Sequence, residues 1–410
     1  MKFKALILLS LSAALMTAQT SSAAVKAGDL CKVAGKKTTA NGKVFTCVKS
    51  GKKLVWNKGV AVVKPTPKPV ETAAPVPEKS AEPTPVITPT PSPVATGPSA
   101  AITFDNLEID WVNLEARKKI LAYYETTSPL SSAYEVIAGP RVVLAQVDEE
   151  KRLLDIAARM FSKYFKPNKY QVVFFSEKDG AWGDQALATY GGGFPTTIGK
   201  EIERWPNGCN FAFATVGKNM TPIYYQCMYT GGRQINDKQT AIHEYFHLVQ
   251  NKYATKGGIP CWAHEGSAQY FGMALGVDGS DPSGKATLQF TRNLTYAFNP
   301  GGDSNLPPNR NLIDRVQTLA GFLEVMKLEE GFNTNCQPLA SYAVGSIMTE
   351  VMIAVKGFET YMDWLMTFNQ TTDWKSSFKR IYGLSVDEFY AKSWPYFKGR
   401  LEAAYKSEGS

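Results

Sequence analysis

The stretch Ala241-Ile242-His243-Glu244-Tyr245-Phe246-His247 brings together the residue types that metal-assisted hydrolysis needs. Two imidazoles four positions apart lie one above the other on a helix. His243 and His247 can therefore present nitrogens to a single ion, and zinc suits such donors. Glu244 sits about 100° around the same helix. Its carboxylate cannot easily join the imidazoles at the ion, but it can reach a water beside it, where a general base must stand. The chain has only 3 histidines, so an HExxH spelling by chance is a rare accident. The competing reading is an ordinary helix that happens to carry these letters.

A catalytic zinc also requires a third protein ligand and an open position. The segment Cys261-Trp262-Ala263-His264-Glu265-Gly266-Ser267-Ala268-Gln269-Tyr270 offers two neighbours, His264 and Glu265. Adjacent helical positions point about 100° apart, so only one of them can face the metal. Spacing alone leaves both open. The metzincin arrangement is excluded, because Gln250 and Tyr253 stand where its Gly and third His belong.

These two stretches resemble the gluzincin metallopeptidases, the group of thermolysin-like and aminopeptidase-like enzymes. Their third ligand is a Glu on a second helix, commonly within W-x-x-E-G-x-A-x-[YF]. Trp262, Glu265, Gly266, Ala268 and Tyr270 match that pattern position for position. The resemblance therefore implies Glu265 as ligand and His264 as its neighbour. Further on, Ser341-Tyr342-Ala343-Val344-Gly345-Ser346-Ile347-Met348 looks like the Y-x-x-G helix of the aminopeptidase-like branch. That likeness implies Tyr342 as hydrogen-bond donor to the developing oxyanion, a role the chemistry requires and no remaining histidine can fill. The alternative is that Tyr342 is one of 19 tyrosines, packing a helix like many of the others. No G-[AG]-M-E-N sequence is present, so binding of a free amino terminus is not implied.

What the resemblance implies is a zinc-dependent peptidase acting on a peptide or protein substrate, with His243, His247 and Glu265 as ligands and Glu244 as base. It covers only these stretches. One rival keeps the zinc and hydrolyses cell-wall amides. The other is a non-catalytic cell-wall-binding protein with a vestigial metal site, against which the intact Glu244 argues, since a scaffold needs no base beside its ligands.

The elements that must position these residues are read from periodicity. Residues 105–126 and 147–165 have helical spacing, the second opening on an acidic turn. Residues 170–176 read as a strand, and 210–216 with 222–229 as a hairpin around Gly217-Lys218-Asn219. The metal helix spans 237–252, and 222–229 is the expected edge strand that would pair with an extended substrate. Helices follow at 261–275, 312–329, 339–355, 358–368 and 386–405, with loops at 276–285 and 299–311. Met348, Met352, Tyr361 and Trp364 read as core. The fold class expected is α+β, a zincin-like catalytic domain with a small mixed sheet, an active-site helix and a mostly helical C-terminal lobe.

In front of this domain at 101–410 the composition changes twice. Residues 1–24 have the charged start, apolar run and small-residue end of a secretory signal. Residues 25–63 read as a small all-β module, with strands at 37–40, 43–48 and 53–56 and a hairpin turn at Asn41-Gly42. It resembles the two-cysteine β modules of secreted bacterial proteins. Residues 64–100 are a Pro- and Thr-rich linker, a semi-rigid spacer.

Residues 25–64 hold ten lysines against Asp29 alone, a net +9 in a chain of +8 overall, which leaves residues 101–410 at −2. The basic charge thus belongs to the module, which could hold anionic cell-wall polymers. Export excludes nucleic acid as a partner and makes the 6 cysteines read as disulfides. Cys31 pairs most simply with Cys47, and Cys209 with Cys227 and Cys261 with Cys336 are the favoured remaining bridges. No stretch after the signal suits a membrane span, since the most apolar, 342–355, contains Glu350. The expectation is a secreted protein, extracellular or associated with the cell wall.

Overall fold

A computed structural model of the chain describes residues 26–31, 37–40, 43–51, 53–58, 60–61, 101–108, 110–128, 134–194, 196–204, 209, 211–231, 238–277, 315–331 and 338–408. The expected signal, the linker, the Asn41-Gly42 turn, Cys336 and the loops at 278–285 and 299–311 lie outside the described residues. The chain divides into two compact units, residues 1–90 and 91–410.

In the first unit β1 (Lys37–Ala40), β2 (Lys43–Ser50), β3 (Lys53–Trp56) and β4 (Val60–Ala61) form an antiparallel sheet in which β2 pairs with all the others. Phe45 and Cys47, two apart on β2, are buried on one side. Cys47 is bonded to Cys31. Asn57 accepts the Thr46 N–H at 2.9 Å, fixing the end of β3 against β2. So little apolar surface cannot offset the ordering entropy alone, and the disulfide supplies the remainder.

The second unit is of the α+β class. Its elements are α1 (Val112–Thr126), β5 (Tyr134–Ala138), α2 (Leu144–Phe161), β6 (Tyr170–Phe175), α3 (Gly180–Tyr190), α4 (Ile198–Arg204), β7 (Ala212–Val216), β8 (Pro222–Cys227), α5 (Thr240–Tyr253), α6 (Cys261–Phe271), α7 (Leu319–Leu328), α8 (Pro338–Lys356), α9 (Phe358–Met366), α10 (Trp374–Tyr382) and α11 (Val386–Glu408). The sheet order is β5-β6-β8-β7, with β5, β6 and β8 parallel and β7 antiparallel to β8 at the edge.

Side chains of β6 and β8 alternate between two cores, as the two-residue strand period requires. Val172, Phe174 and Tyr224 join the large core with α2, α5 and the C-terminal helices. Val173, Phe175, Ile223 and Tyr225 join a smaller one with Ile198 of α4 and the Phe194, Phe211 and Phe213 rings. Both strands are covered on both faces, which parallel pairing favours.

That pairing corrects the expected edge strand. Residues 222–227 are interior, bonded to β6 on one side and to β7 on the other, and the edges belong to β5 and β7. The hairpin itself forms as read, and the Cys209–Cys227 bridge crosses it. Cys261 is also disulfide-bonded.

Helix starts differ from the periodicity as well. Residues 103–106 form a bridged turn, with the Asn106 N–H on Thr103 O at 3.1 Å, and α1 starts only at Val112. Helix α2 begins at Leu144, so Asp148 to Glu150 lie in its second turn rather than its first. The sequence reading missed β5, α3, α4 and α10. Of these α3 is the hardest to see, since it contains two glycines and buries only Gly183 and Ala186.

Two contacts in the C-terminal half place α6. Trp262, at its start, is fully buried, stacked on Trp364 of α9 (centroids 5.7 Å apart, 13° between planes) and ringed by Trp374, Phe389 and Tyr390. Burying such a ring fixes the rotation of α6, and with it the direction of Glu265 three residues on. Helix α8 then crosses α6 where both are glycine. A Cβ at Gly266 would lie 2.2 Å from Gly345 Cα, and one at Gly345 only 1.8 Å from Trp262 O. The backbones touch because no side chain stands between them.

Helix α8 is pinned from its other side by the buried Glu350, which accepts from Asn113 Nδ2 of α1 at 2.6 Å and from the Tyr396 hydroxyl of α11. Among the described residues no helix is long and apolar enough to cross a membrane.

Candidate metal centre

Helix α5 is buried from Ala241 through Gln250, on every side. A helix covered all round belongs in a core. Tyr245 packs against Phe161, Phe165 and Tyr170, while Phe246 packs against Phe161, Phe271 and Tyr361. Polar residues of this helix must then find partners inside the protein.

His243 and His247 do share a face, with their Nε2 atoms 3.0 Å apart. From α6, Glu265 Oε2 comes within 3.5 Å of His243 Nε2 and 3.4 Å of His247 Nε2. Among the described residues these three form a group whose donor atoms all lie within 4.8 Å of one another, so they could hold a metal ion. Of the neighbours His264 and Glu265, it is Glu265 that turns an oxygen toward His243 and His247. The His264 ring lies nearly parallel to that of His247 (centroids 4.4 Å apart, 22° between planes), so their in-plane lone pairs cannot meet at one ion.

The surroundings fit a cation. Glu265 Oε2 and Glu244 Oε2 are buried and accept no hydrogen bond among the described residues, an arrangement that costs free energy unless a positive charge stands nearby. Burial lowers His243 to about 4, and it raises Glu244 to about 7 with the Glu265 charge assisting. Burial also disfavours charge on His247, but the adjacent Glu265 carboxylate outweighs it and brings that imidazole up to about 9. Glu265 is in turn held well below the usual carboxylate range: burial opposes this, and the His247 charge with the close ring nitrogens of His243, His247 and His264 overcomes it. Two carboxylates facing two imidazoles in a buried pocket favour a cation among them.

Three more residues complete the arrangement. Gln250 Oε1 accepts from His247 Nδ1 at 2.7 Å, which turns the other ring nitrogen, Nε2, toward His243 and Glu265. The Gln250 amide nitrogen donates to His264 O at 2.9 Å and Ser267 Oγ at 3.0 Å, tying α5 to α6. The Tyr342 ring, on α8, stacks on His243 with centroids 5.4 Å apart, and its hydroxyl interacts with Glu265. Burial, and then the Glu265 and Glu244 charges, push its phenol well above the ordinary value, so it stays a donor. Finally, the Ala214 N–H of the edge strand β7 donates to Glu244, placing the carboxyl beside one of the two edges of the sheet.

All five residues singled out from sequence, His243, Glu244, His247, Glu265 and Tyr342, thus meet in one pocket. Gln250 was missed, although its place three residues after His247 put it on the same helical face. Ala214 contributes only backbone and left no signal in its side chain. No family model matches the chain, and neither a curated protein nor a solved structure matches it.

Proposed function

We propose that residues 101–410 form a zincin-like, gluzincin-type peptidase domain of a secreted protein, with zinc held by His243, His247 and Glu265. The observation that carries this reading is the convergence of His243 Nε2, His247 Nε2 and Glu265 Oε2 beside a second buried carboxylate, Glu244, that no ligand role requires. When bound, zinc supplies Lewis acidity to a scissile carbonyl and acidifies water.

The chain's own residues do the rest. Glu244, oriented by the Ala214 N–H beside the three ligands, takes a proton from water and passes it to the leaving amine. Tyr342 donates to the negative charge developing on the carbonyl oxygen. The free edge of β7 offers main-chain groups to an extended peptide, beside the base that its Ala214 N–H orients. For the first unit, the exposed Lys26, Lys43, Lys49, Lys53 and Lys58 support retention on anionic wall polymers; such binding would be lost at high salt.

Metal analysis with a peptide-mixture digest tests the reading. The wild type is expected to carry one zinc and cleave, and E244Q to carry zinc without cleaving. Zinc without cleavage by the wild type would point to an amide other than a peptide bond, and absence of metal would remove the reading.

A further inference from the structure

Resting on the metal reading above, we infer that His264 is a positioning residue that makes Glu265 a one-oxygen ligand. Its Nδ1 lies 3.2 Å from Glu265 Oε1, while Oε2 of the same carboxylate is the atom turned to His243 and His247. A carboxylate only accepts, so Nδ1 must carry the hydrogen in this contact. The imidazole is itself locked. It lies flat on the His247 ring, and its backbone carbonyl receives the Gln250 amide that also serves His247.

Without the Nδ1 donor, Oε1 would lose the hydrogen bond that draws it away from His243 and His247, toward which Oε2 is already turned. The carboxylate could then turn both oxygens toward the imidazoles. His264 prevents that rotation. It keeps the position a fifth donor atom would take free for water or substrate, which a catalytic site has to leave open. The third histidine, adjacent to the ligand in sequence, thereby acts on the ligand and not on the ion.

The test compares H264N and H264F in the full chain. Asn places an amide N–H where Nδ1 stands, whereas Phe keeps a ring on His247 and offers no donor. Zinc affinity is measured by chelator competition, and the cobalt-substituted forms are compared by visible absorption, whose intensity falls when four-coordinate cobalt becomes five-coordinate. H264F is expected to bind zinc about 10–100-fold more weakly with a weaker cobalt spectrum, and H264N to restore both. Thermal melts of the variants with metal removed identify any that fail to fold, and H264N alone still decides if H264F does. Wild-type affinity and spectrum in H264F, or an H264N as impaired as H264F while folded, would overturn the role of His264 and leave the metal reading intact. A wild type that binds no zinc would overturn both.

Discussion

Helix α6 meets its two neighbours in opposite ways. Toward α5 the contact is polar: Gln250 reaches across to His264 O and Ser267 Oγ while holding the His247 ring from behind. Toward α8 the contact is bare backbone, where Gly266 and Gly345 meet. Hydrogen bonds orient the side chains of the candidate metal centre, and the missing side chains set the separation of the helices that carry them. A polar contact can be weakened in steps, whereas a backbone contact either closes or does not.

The bare side should break hardest. A Cβ at Gly345 would stand 1.8 Å from Trp262 O, with a second helix behind it and no flexible side chain to give way. We expect G345V to lose more than about 4 kcal/mol of stability or to fail to fold. A soluble G345V melting at the wild-type temperature would show that the crossing tolerates a gap.

Next in size is a polar lock on that same side. Glu329 closes α7, its backbone carbonyl accepts the Trp262 N–H at 3.1 Å, and its buried carboxyl accepts from Ser341 beside Tyr342. Burial raises this carboxyl from 4.5 to about 7, against the Ser341 hydrogen bond. The folded protein therefore keeps a proton that the unfolded chain has already lost. Stability is greatest below about 4.5 and declines as pH rises to about 7, by about 3 kcal/mol. Denaturant midpoints across that window should fall less in E329Q than in the wild type, where the buried Glu244 carboxyl also contributes to the decline, and parallel curves would assign all of it to other groups.

The polar side should give the smallest change in stability and a clear change at the site. Q250A removes the partner of His247 Nδ1 and leaves Ser267 and two carbonyls of α6 to relax. About 1–2 kcal/mol of stability should go, together with about 10–100-fold in zinc affinity. Unchanged affinity by chelator competition would reduce Gln250 to a structural tie between helices.

The same contrast explains what could be read from sequence. His243, Glu244 and His247 lie within one helical turn or so, and local geometry alone brings the two imidazoles together. Glu265 follows after a short connection and carries Trp262, whose burial turns it inward. The α+β class was legible in the β-branched and aromatic runs of β6 and β8 and in the long helical runs after Glu265. Partnerships over distance were not. Either strand of the 210–229 hairpin could have been its edge, and only the pairing of Ile223–Cys227 with β6 decides it. Gly266 and Gly345 were visible as letters in two motifs, but nothing local says that they touch. Helix α3, with Gly180 and Gly183 packed against Gly199 and Ile198, owes its place to its neighbours rather than to an apolar stripe.

One effect of the Gly266–Gly345 contact concerns motion. With bare backbone against backbone, α6 and α8 have no layer of side chains along which to slide, so Glu265 and Tyr342 travel as a single rigid body. Any change in the spacing of these two from Glu244 must then come from the opposite wall, where the Ala214 N–H meets that carboxyl. That wall is β7, an outer strand bonded to the sheet along one edge and anchored near its start by the Cys209–Cys227 bridge.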